Sequence, residues 1–360
     1  MTRGTQLDIR PAAIVHNARR ACELAGASAV YAMVKANGYG HGLQLVADTL
    51  REHVDGFGVA VIEEAVALRE QGIDAPIMLL EGCFDEGEWR LAEQLQLEVI
   101  IHSRHQLDSL QASGIAGPLA VWLKVDTGMH RVGVPCDKAA EILALLQQHP
   151  ACHLAGVMTH FACADMADDA LSVLQLQRLR DLAESFQLPL TAANSAALYR
   201  YADSHGARVR PGIMLYGSSP FPDRKVEQLG LQVTQVLSAP LIAINEVPAG
   251  ESVGYGASWR AQRDSRIGVV AIGYGDGYPR HAANAAPVAV RGQCTQVVGR
   301  VSMDMITIDL TDIPAAVIGD RVELWGDTIA VDEVAQACGT ISYELFCQVT
   351  ARPHRVIVDG

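Results

Sequence analysis

Short apolar runs alternate with longer amphipathic segments from Leu7 to about Pro220. In the longer segments apolar positions recur at three- and four-residue spacing, which is the pattern of repeated βα units. The expected strands are VYAMVK, FGVAV, PIMLL, LEVII, LAVWLKV, LAGVMTH and a short piece at RVRPG. The expected helices are Leu43–Arg51, Glu63–Gln71, Gly87–Leu95, Lys138–Gln148 and Leu171–Phe186. Roughly eight such units fit this stretch, the number that closes a (β/α)8 barrel.

After about Phe221 the pattern changes to strand-like runs with few convincing helices. The runs are VTQVLSAPLIAINEV, SRIGVVAIGYG, PVAVRG, QVVGRVSMDMITIDL and RVELWG, separated mainly by Gly, Pro and Asp. Such spacing is typical of an all-β domain. We therefore expect an α/β protein with a TIM-type (β/α)8 barrel in residues 1–221 and a mostly β domain in residues 222–360.

Composition removes several classes of partner. With 28 Lys and Arg against 41 Asp and Glu, the net charge of -13 repels nucleic-acid phosphates and anionic membranes. No stretch approaches the ~18 apolar residues of a membrane helix, and the chain start has no apolar signal region. The cysteines are scattered without a C-x-x-C pair, and there is no H-E-x-x-H motif. We expect a cytoplasmic protein with reduced thiols, no metal site, and no nucleic-acid or membrane partner.

Lys35 ends the expected strand VYAMVK and is followed by ANGYGHG. The C-terminal end of a barrel strand is where such barrels place their catalytic groups. Apolar Ala32, Met33 and Val34 favour a lowered amine pKa, and the glycines let a bulky ligand approach the backbone. The position suits a Schiff-base lysine, although an ordinary lysine at a strand end fits it as well.

The run AMVKANGYGHG resembles the cofactor-lysine motif of the alanine racemase family, and the resemblance continues in the same order over essentially the whole chain. It implies that pyridoxal 5'-phosphate is held covalently by Lys35 and that Tyr39 bonds the cofactor phosphate. It further implies a homodimer with shared active sites that interconverts L- and D-alanine, either to supply D-alanine for peptidoglycan or to break alanine down.

The block WLKVDTGMHRVG carries a polar pair on one strand. Alternation places Lys124 and Asp126 on the face opposite Leu123 and Val125. The resemblance implies that Arg131 holds the cofactor phenolate oxygen and the substrate carboxylate. It also implies that a carbamylated Lys124 orients this arginine. A plain ion pair between Lys124 and Asp126 is the alternative.

Two further stretches supply polar groups near late strands. His160 ends GVMTH, where it is either a structural histidine or, by the resemblance, a neighbour of the catalytic tyrosine and the cofactor ring. Asn194 and Ser195 open a helix-like segment, and helix N-termini bind phosphate readily. With Gly212 and Ile213 from VRPGIMLYG, they are the expected phosphate contacts.

Arg210, in the same block, matches the family arginine that faces the pyridine nitrogen. A guanidinium stays charged and does not readily give up a proton, so it leaves that nitrogen unprotonated. The carbanion is then less delocalised, and transamination and decarboxylation are less favoured. Some relatives carry histidine where this chain has Thr191, so we expect a different hydrogen-bond network behind the cofactor.

The β domain contributes a second group of tyrosines. Tyr255 lies between two glycines in ESVGYGASW, a context also common in turns. The resemblance implies that the other subunit contributes it as the base opposite Lys35, with a pKa lowered from ~10. Three more segments resemble family segments at the active site: Tyr274 at the entrance, Met303 with Asp304 near the partner's site, and Tyr343, which the resemblance implies touches the cofactor phosphate and narrows the pocket. If Tyr274, Tyr343 and Met303 crowd the site, a side chain of methyl size is what fits.

The implied mechanism uses two opposed bases, because a single base would retain configuration. Lys35 serves the D enantiomer and Tyr255 the L enantiomer. The nearest alternative is a serine or broad-specificity racemase of the same fold. A pyridoxal-phosphate barrel decarboxylase is expected to place an acid at the pyridine nitrogen, which Arg210 opposes. A small carrier protein would need only the barrel, and the long β domain opposes it.

Overall fold

The computed structural model describes residues 3–167, 169–284 and 286–358. The strands are β1 Gln6–Ile9, β2 Ala29–Met33, β3 Gly56–Val59, β4 Ile77–Leu79, β5 Glu98–Ile101, β6 Leu119–Asp126, β7 Val134–Pro135, β8 Cys152–Met158, β9 Leu190–Thr191, β10 Arg208–Val209, β11 Gln235–Val247, β12 Ser252–Val253, β13 Trp259–Arg260, β14 Ser265–Val270, β15 Pro287–Val290, β16 Gln293–Gln296, β17 Ile306–Asp309, β18 Arg321–Trp325 and β19 His354–Ile357. The α-helices are α1 Pro11–Ala25, α2 Lys35–Tyr39, α3 Leu43–Leu50, α4 Ile62–Glu70, α5 Glu86–Gln94, α6 Arg104–Ser113, α7 Cys136–Gln148, α8 Ala170–Phe186, α9 Ser195–Arg200, α10 Val331–Cys338 and α11 Ser342–Gln348. In these ranges we find no helix with both the length and the hydropathy that crossing a membrane requires.

The chain forms two compact units. The barrel unit contains Ile14–Leu215 and Ser219–Leu231, and the β unit contains the chain up to Ala13, the segment Tyr216–Ser218 and the chain from Gln232 onward. The division expected at residue 221 differs from this in three respects: the barrel unit extends to Leu231, and both the chain up to Ala13 and the segment Tyr216–Ser218 belong to the β unit. Strand β1, which that division assigns to the barrel domain, pairs instead with strands of the β unit.

Eight parallel strands of the barrel unit close on themselves in the order β2-β3-β4-β5-β6-β8-β9-β10, and β10 pairs back with β2. The predicted (β/α)8 barrel is therefore confirmed. Its strands are short and their central residues are buried, as the apolar runs indicated. Because the strands are parallel, their carboxyl ends lie at one mouth of the barrel, and so do the loops that follow them.

Local sequence explains where several barrel helices begin. Asp85 accepts a hydrogen bond from the backbone N–H of Glu88 at the start of α5, and Ser103 caps α6 in the same way. Asp169 caps α8. A side-chain oxygen at this position satisfies an N–H group that has no partner inside the helix.

The β unit is built on an eight-stranded sheet whose main path is β16-β15-β18-β11-β1-β19. Strand β14 pairs with β11, and β17 pairs with β14. The long strand β11 has a register irregularity between Leu241 and Ala243, which lets it pair with β18 and β1 at one end and β14 at the other. Helices α10 and α11 add to this unit, so the expected mostly β domain is confirmed with more helix than its sequence pattern indicated.

Candidate active site

A left-handed turn carries Lys35 at the mouth of the barrel. Strand β2 ends at Met33, and after Lys35 the backbone φ angles are 52° at Ala36, 55° at Asn37 and 60° at Gly38. Tyr39 continues the turn with φ 49°. Left-handed backbone costs about 1–2 kcal/mol for each residue that has a Cβ. Contacts outside the turn must therefore hold it.

The contacts around this turn are mainly to backbone atoms. The N–H of Gly38 donates to the carbonyl of Val34 at 2.8 Å, and the N–H of Gly42 donates to the carbonyl of Asn37 at 2.9 Å. The Asn37 side chain accepts from the N–H of Leu43 at 2.9 Å, which joins the turn to the start of α3. Lys35 and Tyr39 are thereby presented from one short segment.

Tyr39, Ser195 and Gly212 come together beside that turn. A Cβ atom at Gly212 would lie 2.5 Å from the Tyr39 hydroxyl oxygen, so a larger residue there would displace the phenol. The Ser195 hydroxyl accepts from the N–H of Gly212 at 2.9 Å, and no described residue takes its proton. Asn194 caps α9 by accepting from the N–H of Ala197 at 3.0 Å. Two hydroxyls and a closely approaching backbone make a cradle that suits a phosphate group.

Ile213 begins the single 3-10 turn Ile213–Tyr216 that follows Gly212. Its side chain is fully buried, so only its backbone is available to a ligand. The predicted phosphate contacts from VRPGIMLYG thus lie next to those from Asn194 and Ser195.

Arg210 is buried and fixed by oxygen atoms of neutral groups. Its guanidinium donates to the Thr159 carbonyl at 2.7 Å, to the Ala192 carbonyl at 3.2 Å and to the Thr191 hydroxyl. These bonds use three of its five N–H groups, and within the described ranges the remaining two have no protein acceptor. Burial lowers the pKa of Arg210 to about 10. It remains a cation at neutral pH, with N–H groups left for a ligand.

Lys124 and His160 lie in a concentration of positive charge. Burial, followed by repulsion from Arg210, Arg131 and Lys35, lowers the pKa of the Lys124 amine to about 8. Burial and the same neighbours, together with Lys124, lower the pKa of His160 to about 3, so its imidazole is neutral. Lys124 is buried, whereas Arg131 is exposed in the loop after β6. Such a group of cations suits an anionic ligand.

Asp126 does not form the ion pair with Lys124 that was one alternative. Its carboxylate accepts from the N–H groups of Gly128 and His130, both at 3.0 Å. It also lies 3.1 Å from the Nδ1 atom of His130. The role of Asp126 is therefore to cap the loop that leads to Arg131, and Lys124 is left facing the other cations.

The remaining predicted site residues belong to the β unit and are exposed. Tyr255 is 71% exposed and lies between Gly254 and Gly256, both of which have positive φ. Tyr274 and Met303 come from loops joined by backbone hydrogen bonds, Tyr274 N–H to Ser302 carbonyl at 3.1 Å and Gly275 N–H to Met303 carbonyl at 2.9 Å. Tyr343 lies in the first turn of α11 and is partly exposed.

A network of ion pairs that the sequence did not reveal fixes those two loops. Buried Asp276 contacts the guanidinium groups of Arg3 at 2.9 Å and Arg352 at 3.3 Å. Arg352 also bonds the Asp304 carboxylate at 2.8 Å. The glycines around Asp276 hinted at a constrained loop, but no pattern connects it with residues near the two ends of the chain. Asp304, expected to contact substrate, is thus engaged within its own unit.

Family models match nearly the whole chain. The model for the N-terminal domain of alanine racemase matches residues 9–220, and that for its C-terminal domain matches residues 234–357. The chain belongs to the alanine racemase family. The alanine racemase of Alcanivorax borkumensis is 58% identical over 99% of this chain and 100% of its own. The resemblance expected from AMVKANGYGHG is therefore confirmed, as is the isomerase class.

Solved alanine racemase structures share the fold over their full length. The biosynthetic alanine racemase of Pseudomonas aeruginosa superimposes with a TM-score of 0.96 at 44% identity, covering 99% of this chain and 100% of that one. The alanine racemase of Bartonella henselae, solved with covalently bound pyridoxal phosphate, has a TM-score of 0.89 at 27% identity and covers 99% of each chain. Both units of the chain thus have counterparts in enzymes of the alanine racemase family.

Proposed function

We propose that the protein interconverts L- and D-alanine in a homodimer, with pyridoxal 5'-phosphate held by Lys35 and with Tyr255 of the second subunit as the opposing base. The observation that supports the racemase assignment is the buried Arg210. Thr191, Thr159 and Ala192 hold its guanidinium, and two of its N–H groups remain available to a ligand. It combines with the family membership of the whole chain.

The residues of the barrel mouth fit this cofactor. Tyr39, Ser195 and Gly212 form a polar cradle, to which Asn194 and the backbone of Ile213 contribute. The cations around Lys124 and His160 suit the negative charges of a phosphate, a phenolate and a substrate carboxylate. We assign the phenolate and the substrate carboxylate to Arg131, because this residue is exposed at the mouth of the barrel.

When bound, the cofactor withdraws electrons from the α-carbon of the substrate and so makes its proton acidic. Lys35 takes or returns this proton on one face, and Tyr255 does so on the other. Two bases on opposite faces invert the configuration, with Lys35 acting on D-alanine and Tyr255 on L-alanine. His160 is kept neutral beside them, since its pKa is about 3.

Arg210 argues against assigning a decarboxylase activity to this protein. A carboxylate facing the pyridine nitrogen would hold a proton there, whereas Arg210 remains a cation and can only donate a hydrogen bond. The electron sink is then shallower, so proton transfer at the α-carbon is favoured over competing bond cleavages.

Exposed residues of the β unit suit a role in a partner's site. Tyr255, Tyr274, Met303 and Tyr343 present their side chains to solvent in the single chain. If they narrow the pocket of the second subunit, a methyl group is the side chain that fits, which favours alanine over serine or larger substrates. The resemblance to an enzyme described as biosynthetic favours supply of D-alanine, with peptidoglycan as its destination.

The deciding experiment combines spectroscopy and chiral analysis on one sample. We expect an absorbance band near ~420 nm, typical of a protonated Schiff base, and D-alanine after incubation with L-alanine. The variant Lys35→Ala should lose both, while the exposed Lys138→Ala should keep both. A band without racemisation of L-alanine, L-serine or L-lysine would retain the cofactor and refute the function.

A further inference from the structure

A single carboxylate from α4 reaches the turn that carries Lys35. One oxygen of Glu64 accepts from the N–H of Ala36, the residue after Lys35, at 2.6 Å. The other oxygen accepts from the N–H of Ala60, the residue after β3, at 2.9 Å. One side chain thus ties the left-handed turn after β2 to the end of the neighbouring strand.

This bond falls where the backbone most needs support. Ala36, Asn37 and Tyr39 all have positive φ despite carrying a Cβ, so the turn is unfavourable by itself. The Ala36 N–H opens the turn, and an amide that a carboxylate binds is held more firmly than one that water binds. The direction in which Lys35 leaves the strand depends on that first peptide.

We propose that Glu64 is a positioning residue for Lys35 and for Tyr39. It holds the left-handed turn so that the Lys35 amine and the Tyr39 phenol are both placed to contact the cofactor. This inference rests on the proposed function, in which Lys35 carries the cofactor. Glu64 touches neither substrate nor cofactor and acts through the backbone of Ala36.

The adjacent residue supplies a matched control. Glu63 also lies in the first turn of α4 and carries the same charge, but it is exposed and makes no hydrogen bond or ion pair in the described part of the chain. Glu63→Gln and Glu64→Gln therefore remove equal charge from the same helix terminus. Only Glu64→Gln leaves an N–H group facing an amide nitrogen, because a glutamine has one acceptor oxygen.

We expect Glu64→Gln to lower kcat for L-alanine about tenfold or more with a smaller change in KM, since misplacing a reacting group by a fraction of an ångström slows chemistry more than binding. The visible circular dichroism of the bound cofactor should also change. In the protein stripped of cofactor, backbone hydrogen exchange in residues 35–42 should accelerate about tenfold. Glu63→Gln should leave all three within about twofold of the starting protein.

Glu64→Asp is the second variant: its carboxylate is kept but is one methylene shorter, so it should fail to reach both amides and resemble Glu64→Gln. Unchanged kcat, dichroism and exchange in Glu64→Gln would overturn the proposal, as would equal effects in Glu63→Gln. A separate experiment distinguishes failure of the Glu64 proposal from failure of the proposed function: borohydride reduction of the starting protein, followed by peptide mapping, shows which lysine holds the cofactor. A cofactor label on another lysine would refute the role of Lys35, and that of Glu64 with it.

Discussion

At the scale of single residues, one hydroxyl decides how Arg210 is held. The Thr191 hydroxyl donates to the Arg208 carbonyl at 2.8 Å and accepts from the Arg210 guanidinium. Its only proton is thereby committed to the carbonyl, so the lone pairs must face the arginine. This is how a threonine at position 191 holds the arginine in place.

Removal of the Thr191 hydroxyl should lower both the free energy of unfolding and the catalytic rate. Thr191→Val keeps the shape but leaves a buried Arg210 N–H without this acceptor and removes the bond to the Arg208 carbonyl, which should lower the free energy of unfolding by about 1–3 kcal/mol. It should also lower kcat, because Arg210 gains freedom to move. Urea denaturation and steady-state kinetics measure the two effects. Thr191→Ser restores the hydroxyl, so if it behaves like Thr191→Val the hydrogen bond is not the cause.

Lys124 should make stability depend on pH in carbon-dioxide-free buffer. With a pKa of about 8 in the folded state, the amine is a buried cation below that pH. Between about pH 8 and 10.5 the folded protein has lost this proton while the unfolded chain still holds it, so stability rises with pH. The variant Lys124→Met should be most stabilised relative to the starting protein below pH 8, and the advantage should shrink toward pH 10.5. A pH-independent difference between their urea midpoints would contradict this.

The same lowered pKa favours carbamylation. Only the neutral amine attacks carbon dioxide, and about a tenth of Lys124 is neutral at pH 7. A carbamate would bring negative charge among Arg131, Arg210 and Lys35. We expect 13C-labelled bicarbonate to give a carbonyl resonance, and to raise the urea midpoint, in the starting protein but not in Lys124→Met. A resonance that persists in the variant would assign it elsewhere.

At the scale of elements, periodicity located five of the barrel helices and seven of the eight barrel strands, whereas α1 and α6 were not among the expected helices. The structure has α3, α4, α5, α7 and α8 within about two residues of the expected bounds. Strand β9 was missed because two residues are too short for a pattern, and α10 and α11 because short helices resemble the strand runs around them. The left-handed turn after Lys35 could not be predicted, since a tertiary contact from Glu64 supports it in addition to its local bonds.

A polar cluster that no sequence motif predicted lies toward the amino ends of the barrel strands. The Glu98 carboxylate accepts from the Tyr31 hydroxyl at 2.9 Å and from the Trp122 indole at 3.0 Å. Arg208 pairs with the same carboxylate, and its guanidinium lies 4.5 Å from the Tyr31 ring centroid and 4.8 Å from that of Trp122. Being remote from the carboxyl ends, this cluster should serve stability and not catalysis.

Glu98→Gln tests that assignment. It leaves Arg208 partly buried without its counter-ion, so the free energy of unfolding should fall by about 3 kcal/mol while KM stays unchanged. Asp108→Asn, which breaks the exposed pair with Arg104, should cost less than about 1 kcal/mol. Chemical denaturation and kinetics measure both variants. An equal loss from the two would mean that burial of the Glu98 pair is unimportant.

At the scale of the whole molecule, the expected catalytic residues divide between two units. Motifs in the sequence indicated the residues to which we assign chemistry, because these sit in runs such as VKANGYGHG and VRPG. They did not identify Arg3, Asp276 and Arg352, whose pairing depends on how distant segments meet. The proposed homodimer gives Tyr255 its function, since it would serve the site of the other subunit.

Mixing two inactive variants tests this sharing. Lys35→Ala and Tyr255→Phe homodimers should each racemise poorly. After dissociation and equal mixing, half of the dimers are hybrids, and each hybrid keeps one intact pair of bases. Activity should return to about one quarter of the starting value. If both bases came from one chain, no hybrid would hold an intact pair and activity would not return.

The position of β1 has a consequence for synthesis on the ribosome. This strand precedes the other described strands in the chain, yet it lies between β11, which begins at Gln235, and β19, which begins at His354. The barrel helices and strands can assemble as they emerge, whereas β1 gains a partner on one edge when β11 emerges and on the other edge only when β19 does. A chain that stops before β19 therefore exposes an open strand edge, the kind of surface on which unfinished chains aggregate.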